Sequence, residues 1–143
     1  MAGIKINVTI DDAEVKALLT SLRERVEDLT PVMNTIGQIV RTSVVKNFEQ
    51  GGRPTKWQPS QRATREGGLT LVDSARLRNS INAKATSKQV VIGTNVVYGA
   101  IHQLGGKAGR GRKVNIPARP FLAVQAEDWT EIKKAITDHI LKA

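Results

Sequence analysis

Few side chains in this sequence could carry chemistry, and they are scattered. His102 and His139 are the two histidines and cysteine is absent, so no His/Cys cluster with metal-ligand spacing can be assembled. His102 sits in Tyr98-Gly99-Ala100-Ile101-His102-Gln103, a setting that reads as a packed, hydrogen-bonded imidazole rather than a ligand. There is no Gly-x-Ser-x-Gly elbow to raise a nucleophile. Asp73 precedes Ser74, and helix capping accounts for both. The acids at 11, 12, 14 and between 24 and 28 fall on or beside one helical segment, where caps and solvated faces explain them better than a paired acid and base. With no convergent set of roles, the sequence reads as a non-enzyme without metal or cofactor.

The segment GGKAGRGRK, residues 105–113, invites three comparisons and satisfies none. A dinucleotide-binding turn needs a strand before it and a helix after it. A phosphate loop ends in Gly-Lys-Ser/Thr, which is missing. The Gly106-Lys107-Ala108-Gly109 stretch imitates the GXXG of a KH domain, but that loop must join two helices. What the segment does offer is charge. Contact with DNA phosphates through Arg110, Arg112 and Lys113 would be sequence-independent and salt-sensitive. Base stacking is poorly provided for, since Phe48, Trp57, Tyr98, Phe121 and Trp129 are the only aromatics and a stacking platform needs them exposed among cations.

The charge is strongly segregated. Residues 50–119 carry thirteen Lys/Arg against Glu66 and Asp73, while the flanks on either side are nearly neutral, within a net +9. Such a block concentrates polyanions or an acidic partner surface nearby. At 143 residues the chain fits one domain, 1–143, long enough to bury about 68–70% of its unfolded surface. No apolar run is long enough to span a membrane, the first residues show no signal-peptide pattern, and the lack of cysteine suits a cytosolic assembly site.

The elements that must position these residues follow from periodicity. Ile4, Ile6, Val8 and Ile10 alternate with polar residues and predict a half-buried strand. Val15, Leu18, Leu19, Leu22, Val26 and Leu29 predict a helix over 12–29. Thr30 as cap and Pro31 at the first helical position start a second, lined by Val32, Ile36, Ile39, Val40, Val44 and Phe48 and stopped by Gly51-Gly52. The two form a hairpin or one broken long helix. Residues 51–68 read as a long ordered loop pinned by Trp57. Asp73 caps a short helix carrying Leu77 and Ile81. Residues 81–85 and 89–93 form a β-hairpin turning at Thr86-Ser87-Lys88, and residues 98–104 a short helix or turn. The 105–113 segment holds no large apolar side chain and is expected to be a mobile arm. Residues 116–121 are extended by their prolines, and 122–143 form a final helix with Trp129, Ile132, Ile136 and Ile140 on one stripe. The fold class is α+β: an N-terminal strand and helical pair on a small antiparallel sheet, with long loops and a C-terminal helix.

Four blocks, in order, resemble the phage virion morphogenesis family, which includes tail-completion proteins and the G protein of Mu-like phages. They are Phe48-Glu49-Gln50-Gly51-Gly52-Arg53-Pro54 with Trp57, Pro59 and Ser60; Leu71-Val72-Asp73-Ser74-Ala75-Arg76-Leu77-Arg78-Asn79-Ser80-Ile81; Val91-Ile92-Gly93-Thr94-Asn95 with Tyr98-Gly99-Ala100-Ile101-His102-Gln103-Leu104-Gly105; and Ile116-Pro117-Ala118-Arg119-Pro120-Phe121-Leu122. Ser74-Ala75 stands where members more often have Thr-Gly, and Tyr98-Gly99 where they have Tyr-Ala; both exchanges are small for small.

The resemblance implies a structural protein of the virion's neck or tail end that serves tail completion and head–tail joining. It implies a homo-oligomer, a hexameric ring, meeting neck, tail-tube or connector proteins, assembled in the bacterial cytoplasm and without catalytic residues. The candidate subunit or DNA contacts are Arg53, Trp57, Lys107, Arg110, Arg112, Lys113 and Arg119. The Trp57 loop and the 105–115 arm are expected to dock on neighbours. Arg119, stiffened between two prolines, pairs with a carboxylate either at an interface or, preferentially, within the subunit. The other reading is a basic nucleic-acid-binding module.

Overall fold

The computed structural model describes residues 13–141, so the strand expected over 4–10 lies outside the described residues. Helix α1 spans Ala13–Glu27 and α2 spans Thr30–Glu49. Pro31 opens α2 as expected, but Thr30 does not cap it by its side chain. Its backbone N–H instead donates to Asp28 Oδ1 at 3.1 Å. Hydrogen bonding from the Thr30 side chain, and after it from this N–H, draws the Asp28 carboxyl below its usual pKa. The break between the helices is held by the Leu29 N–H donating to the Ser87 carbonyl at 3.1 Å.

Helix α2 is the central element. Val32, Ile36, Val40, Val44 and Phe48 are all buried along one face, the stripe that the 3.6-residue period demands. Strands β1 (Asn82–Ala85) and β2 (Val90–Gly93) pair antiparallel, with Asn82 opposite Gly93 and Ala85 opposite Val90. This hairpin lies on α2 where Gly37 leaves room: a Cβ there would stand 3.1 Å from the Ala83 Cβ and 3.2 Å from Val90 Cγ2. The final helix, labelled α6 in chain order and spanning Ala126–Leu141, packs against α2 through Ile132. Between them run the short helices α3 (Gln61–Glu66), α4 (Arg76–Asn79) and α5 (Gly99–Leu104). A second hairpin joins β3 (Gly106–Ala108) to β4 (Val114–Ile116). The α+β architecture matches the sequence expectation.

Four local expectations are corrected. Of the two arrangements expected for the first helices, the broken long helix is found and the packed hairpin is not, but the α1 stripe does not face the core. Instead α1 packs on α6, its end clipped there by Arg25 Nη1 donating to the Ile140 carbonyl at 2.9 Å and by His139 Nε2 at 3.0 Å from the Arg25 carbonyl. As a result Val15, Leu18, Leu19 and Val26 stay half-exposed or more, although their spacing is that of a core face. The 51–68 loop contains α3, capped by Ser60, whose hydroxyl accepts from the Ala63 N–H at 3.1 Å. Asp73 caps nothing: α4 starts from Ala75 in the left-handed region (φ 62°), and Asp73 stays exposed beside Arg62 at 3.9 Å.

The fourth correction concerns the 105–113 arm, which is a hairpin, with Lys107 opposite Asn115 and a tight turn over Arg110–Arg112. Side-chain burial is not what orders it. A backbone ladder does, with glycines at the positive φ angles the turns require, as at Gly109 (φ 79°) and Gly111 (φ 70°). Gly105 anchors its base so closely that a Cβ would meet the Ala118 nitrogen at 2.8 Å.

Because Gly37 faces β1 and β2 at contact distance, Gly37→Leu should lift the hairpin from α2. A loss of about 1–3 kcal/mol is expected for such overpacking, measurable by urea denaturation, whereas Leu at exposed Gln38 should leave the midpoint nearly unchanged.

Candidate functional site

The sequence-predicted contact residues divide into two groups. Arg53, Trp57 and Arg119 turn inward; Lys107, Arg110, Arg112 and Lys113 face solvent.

The inward group knits the four sequence blocks together. Phe48 and Phe121 are fully buried, with ring centroids 5.1 Å apart, and Trp57 meets Phe48 edge-on at 5.9 Å. The Trp57 indole N–H donates to the Pro120 carbonyl at 3.1 Å, so the indole pins its loop to the fourth block rather than offering itself to a neighbour. Gln103, from the third block, accepts at Oε1 from the Phe121 and Leu122 N–H groups at 3.0 and 2.9 Å. The Arg119 N–H donates to the His102 carbonyl at 2.7 Å, and its Nε to the Gln58 carbonyl at 2.8 Å. The second and third blocks meet through the Ser80 and Thr94 hydroxyls at 2.5 Å. Gly99 sits so close to Thr94 that a Cβ would fall 2.7 Å from Thr94 Cγ2.

A second network, which the sequence did not reveal, crosses the core. Buried Asn47 donates through Nδ2 to the Phe121 carbonyl at 2.8 Å and accepts at Oδ1 from Arg53 Nε at 2.8 Å. Arg53 Nη2 donates to the Ser43 carbonyl at 2.8 Å and to the Ser43 hydroxyl at 2.6 Å, and that hydroxyl in turn donates to Asp128. Asp128 also accepts from the Gln125 N–H at 2.8 Å, closing the N-terminus of α6 as a capping box does. Buried Ser43, Asn47 and Asp128 are thereby satisfied; Arg53 reaches Asp128 only through the Ser43 hydroxyl, while its Nη1 pairs with exposed Glu127 at 3.4 Å. The only clue in the sequence was that Ser43 and Asn47 fall on the apolar face of α2.

Arg119 has no carboxylate partner among the described residues, which corrects the expected intrasubunit ion pair; its guanidinium bonds a carbonyl instead. Burial pulls its pKa down from the ordinary arginine value. The neighbouring His102 is shifted below 6.5, first by burial and then by the Arg119 charge, and its Nδ1 is buried without a hydrogen-bond partner.

The outward group occupies the second hairpin. Lys107, Arg110, Arg112 and Lys113 are all exposed, and Arg112 is held at φ 54°. Such an array attracts polyanions or an acidic surface without selecting a sequence. Among the described residues no group of three His, Cys, Asp or Glu could hold a metal, and no helix is long and apolar enough to cross a membrane.

Comparison with known proteins gives one consistent result. The phage virion morphogenesis family matches residues 10–141. The chain is 40% identical to the Mu-like prophage FluMu G protein 2 of Haemophilus influenzae over 135 residues, 94% of this chain and 95% of that one. It is 25% identical to protein G of Escherichia phage Mu, whose name suggests capsid assembly, over 153 aligned positions covering 99% and 97% of the two chains. No solved structure matches.

Two outcomes follow from the geometry. Arg53→Met removes the donors to Asn47 Oδ1 and to the Ser43 carbonyl and hydroxyl, and leaves the Ser43–Asp128 link without its third member. It should cost about 3 kcal/mol, seen as a lower thermal midpoint with helical content retained below it. Because His102 titrates lower in the folded state than in the unfolded one, the unfolded state gains the proton first. The stability that neutral His102 contributes is therefore complete above pH 6.5 and is lost as pH falls through the folded value. Denaturation midpoints measured between about pH 7 and 5 should fall less steeply in His102→Gln than in the wild type.

Proposed function

This chain belongs to the phage virion morphogenesis family, and on that footing we propose that it is a non-enzymatic structural subunit of the virion's neck or tail end. Its work is tail completion and head–tail joining, carried out as a hexameric ring against neck, tail-tube or connector proteins. Assembly takes place in the bacterial cytoplasm. The observation that carries this reading is the family match along residues 10–141 as a whole.

The geometry supports it from another side. The side chains that mark the family blocks are spent on bonds within the subunit: Trp57 on Pro120, Gln103 on residues 121 and 122, Arg119 on Gln58. A frame of this kind holds a shape rather than running a reaction. What it presents outward is the cationic second hairpin, suited to an acidic partner surface or to DNA passing nearby. A head-to-tail contact between identical subunits closes a ring when its rotation closes.

The direct test is deletion of the gene from an inducible prophage, followed by electron microscopy of the lysate. Filled heads and separate, unjoined tails are the expected products, restored to whole virions by the wild-type gene. Absence of heads would move the role to capsid assembly, and normal virions would end the proposal. Native mass spectrometry with tail-tube partners should show sixfold copies; a strict monomer in every mixture counts against the ring.

The alternative, a free-standing nucleic-acid-binding module, is favoured only by the net charge of +9. A gel-shift series in rising salt separates the two. The assembly reading expects weak duplex binding that vanishes by physiological salt, and tight monomeric binding under those conditions would favour the module.

A further inference from the structure

A cavity of about 380 Å³ opens between α4, α5 and the chain around Arg119. Its apolar floor includes Leu77, which is 3% exposed, and its walls include Arg62, Arg76, Arg119, His102, Tyr98 and Asp73. Three arginines therefore line the cavity together with a single carboxylate. That carboxylate, Asp73, is 81% exposed and stands 3.9 Å from Arg62, so it offsets at most one of them. Arg76 leans on the Tyr98 ring, 6.0 Å from its centroid. Arg119 is only 6% exposed, and its Nε is committed to the Gln58 carbonyl. Its two terminal nitrogens have no hydrogen-bond partner among the described residues.

A guanidinium buried without a counter-charge is costly to keep, and the interior of this protein treats its other buried charges differently. Asp128 receives two hydrogen bonds and has a cation one side chain away. Among the described residues Arg119 has no such partner: the terminal nitrogens of its planar donor edge stay unmatched but accessible, beside further cations and at the wall of an open cavity. That edge is the half of a bidentate pair that fits a carboxylate.

The geometry points to this cavity as a carboxylate-binding site, filled by an Asp or Glu side chain of a neighbouring copy of the chain. The small volume and the apolar lining from Leu71, Leu77 and Ile116 suit one inserted side chain rather than a continuous phosphate backbone, for which the exposed hairpin cations are better placed. A second copy has the complementary surface. Helices α1 and α6 carry exposed Glu14, Glu24 and Glu131, interspersed with cations such as Lys16 and Lys133, whereas the cavity belongs to the middle of the chain, where thirteen Lys/Arg stand against Glu66 and Asp73. The existence of the site rests on the cavity alone; the choice of occupant rests on the ring-assembly reading.

Acetate serves as the probe on the wild-type protein, followed by NMR of the arginine Nε–H and histidine ring signals. Arg119 and His102 should shift together and saturate in the millimolar range, with chloride at matched ionic strength producing no such change. No shift, an equal response to chloride, or tighter binding of inorganic phosphate than of acetate would overturn the site. Sedimentation equilibrium then tests the occupant. Arg119→Lys, which keeps the charge but not the fork, should weaken self-association at least tenfold, and millimolar acetate should do the same to the wild type. If acetate binds while self-association is absent, or is indifferent to both changes, the second copy is overturned as occupant while the carboxylate site stands. Failure of the ring in virions with acetate binding intact would likewise strike the assembly reading and not the site.

Discussion

The Asn47 side-chain amide, wholly buried, links α2 to the far end of the chain by donating to the Phe121 carbonyl. The rest of the structure depends on that constraint. Phe121 follows a proline-stiffened run that cannot fold back as a helix, so its main-chain polar groups enter the core with no ladder of their own. Asn47 satisfies the carbonyl and Gln103 the N–H. Only then can the Phe121 ring settle against Phe48. Buried amides of this kind add little net stability when paired and are expensive when orphaned. Their effect is to admit one arrangement of the segments and penalise the others.

The arginine network extends the same logic. Arg53 reaches Asn47 and Ser43, Ser43 reaches Asp128, and Asp128 closes the start of α6. One polar thread thus fixes α2, the loop that follows it and the last helix relative to each other. Hydrophobic burial supplies the driving force but is not directional; the thread supplies direction. The last helix, distant in sequence, is thereby held in one orientation relative to α2 and its following loop.

What could be read from the sequence was what periodicity governs. The α2 stripe, the 82–93 hairpin, α5 and most of α6 lie where spacing places them. Reading failed where tertiary context overrode local pattern. The α1 stripe is as regular as that of α2, yet the break at residues 28 and 29 leaves it packed on α6 with much of it in solvent. Asp73 looked like a cap, but Ala75 in the left-handed region starts α4 without one. The second hairpin was hidden because its order comes from main-chain bonds, to which side-chain identity is nearly mute. Arg53, Trp57 and Arg119 were singled out for their chemistry, and only the folded chain reveals that all three point inward. Ser43 and Asn47 were marked only by their place on the apolar face of α2, and Asp128 gave no signal, because an ordinary polar residue does not announce that it will be buried.

The β3–β4 hairpin separates what holds a segment in place from what that segment displays. Its ladder and its glycines set the geometry, while Lys107, Arg110, Arg112 and Lys113 contribute almost nothing to the core. The charges at its tip can therefore be rewritten, residue by residue, without unfolding the body beneath. A lineage under pressure to match a changed partner has here a patch of sequence where novelty is cheap, mounted on a frame where it is not.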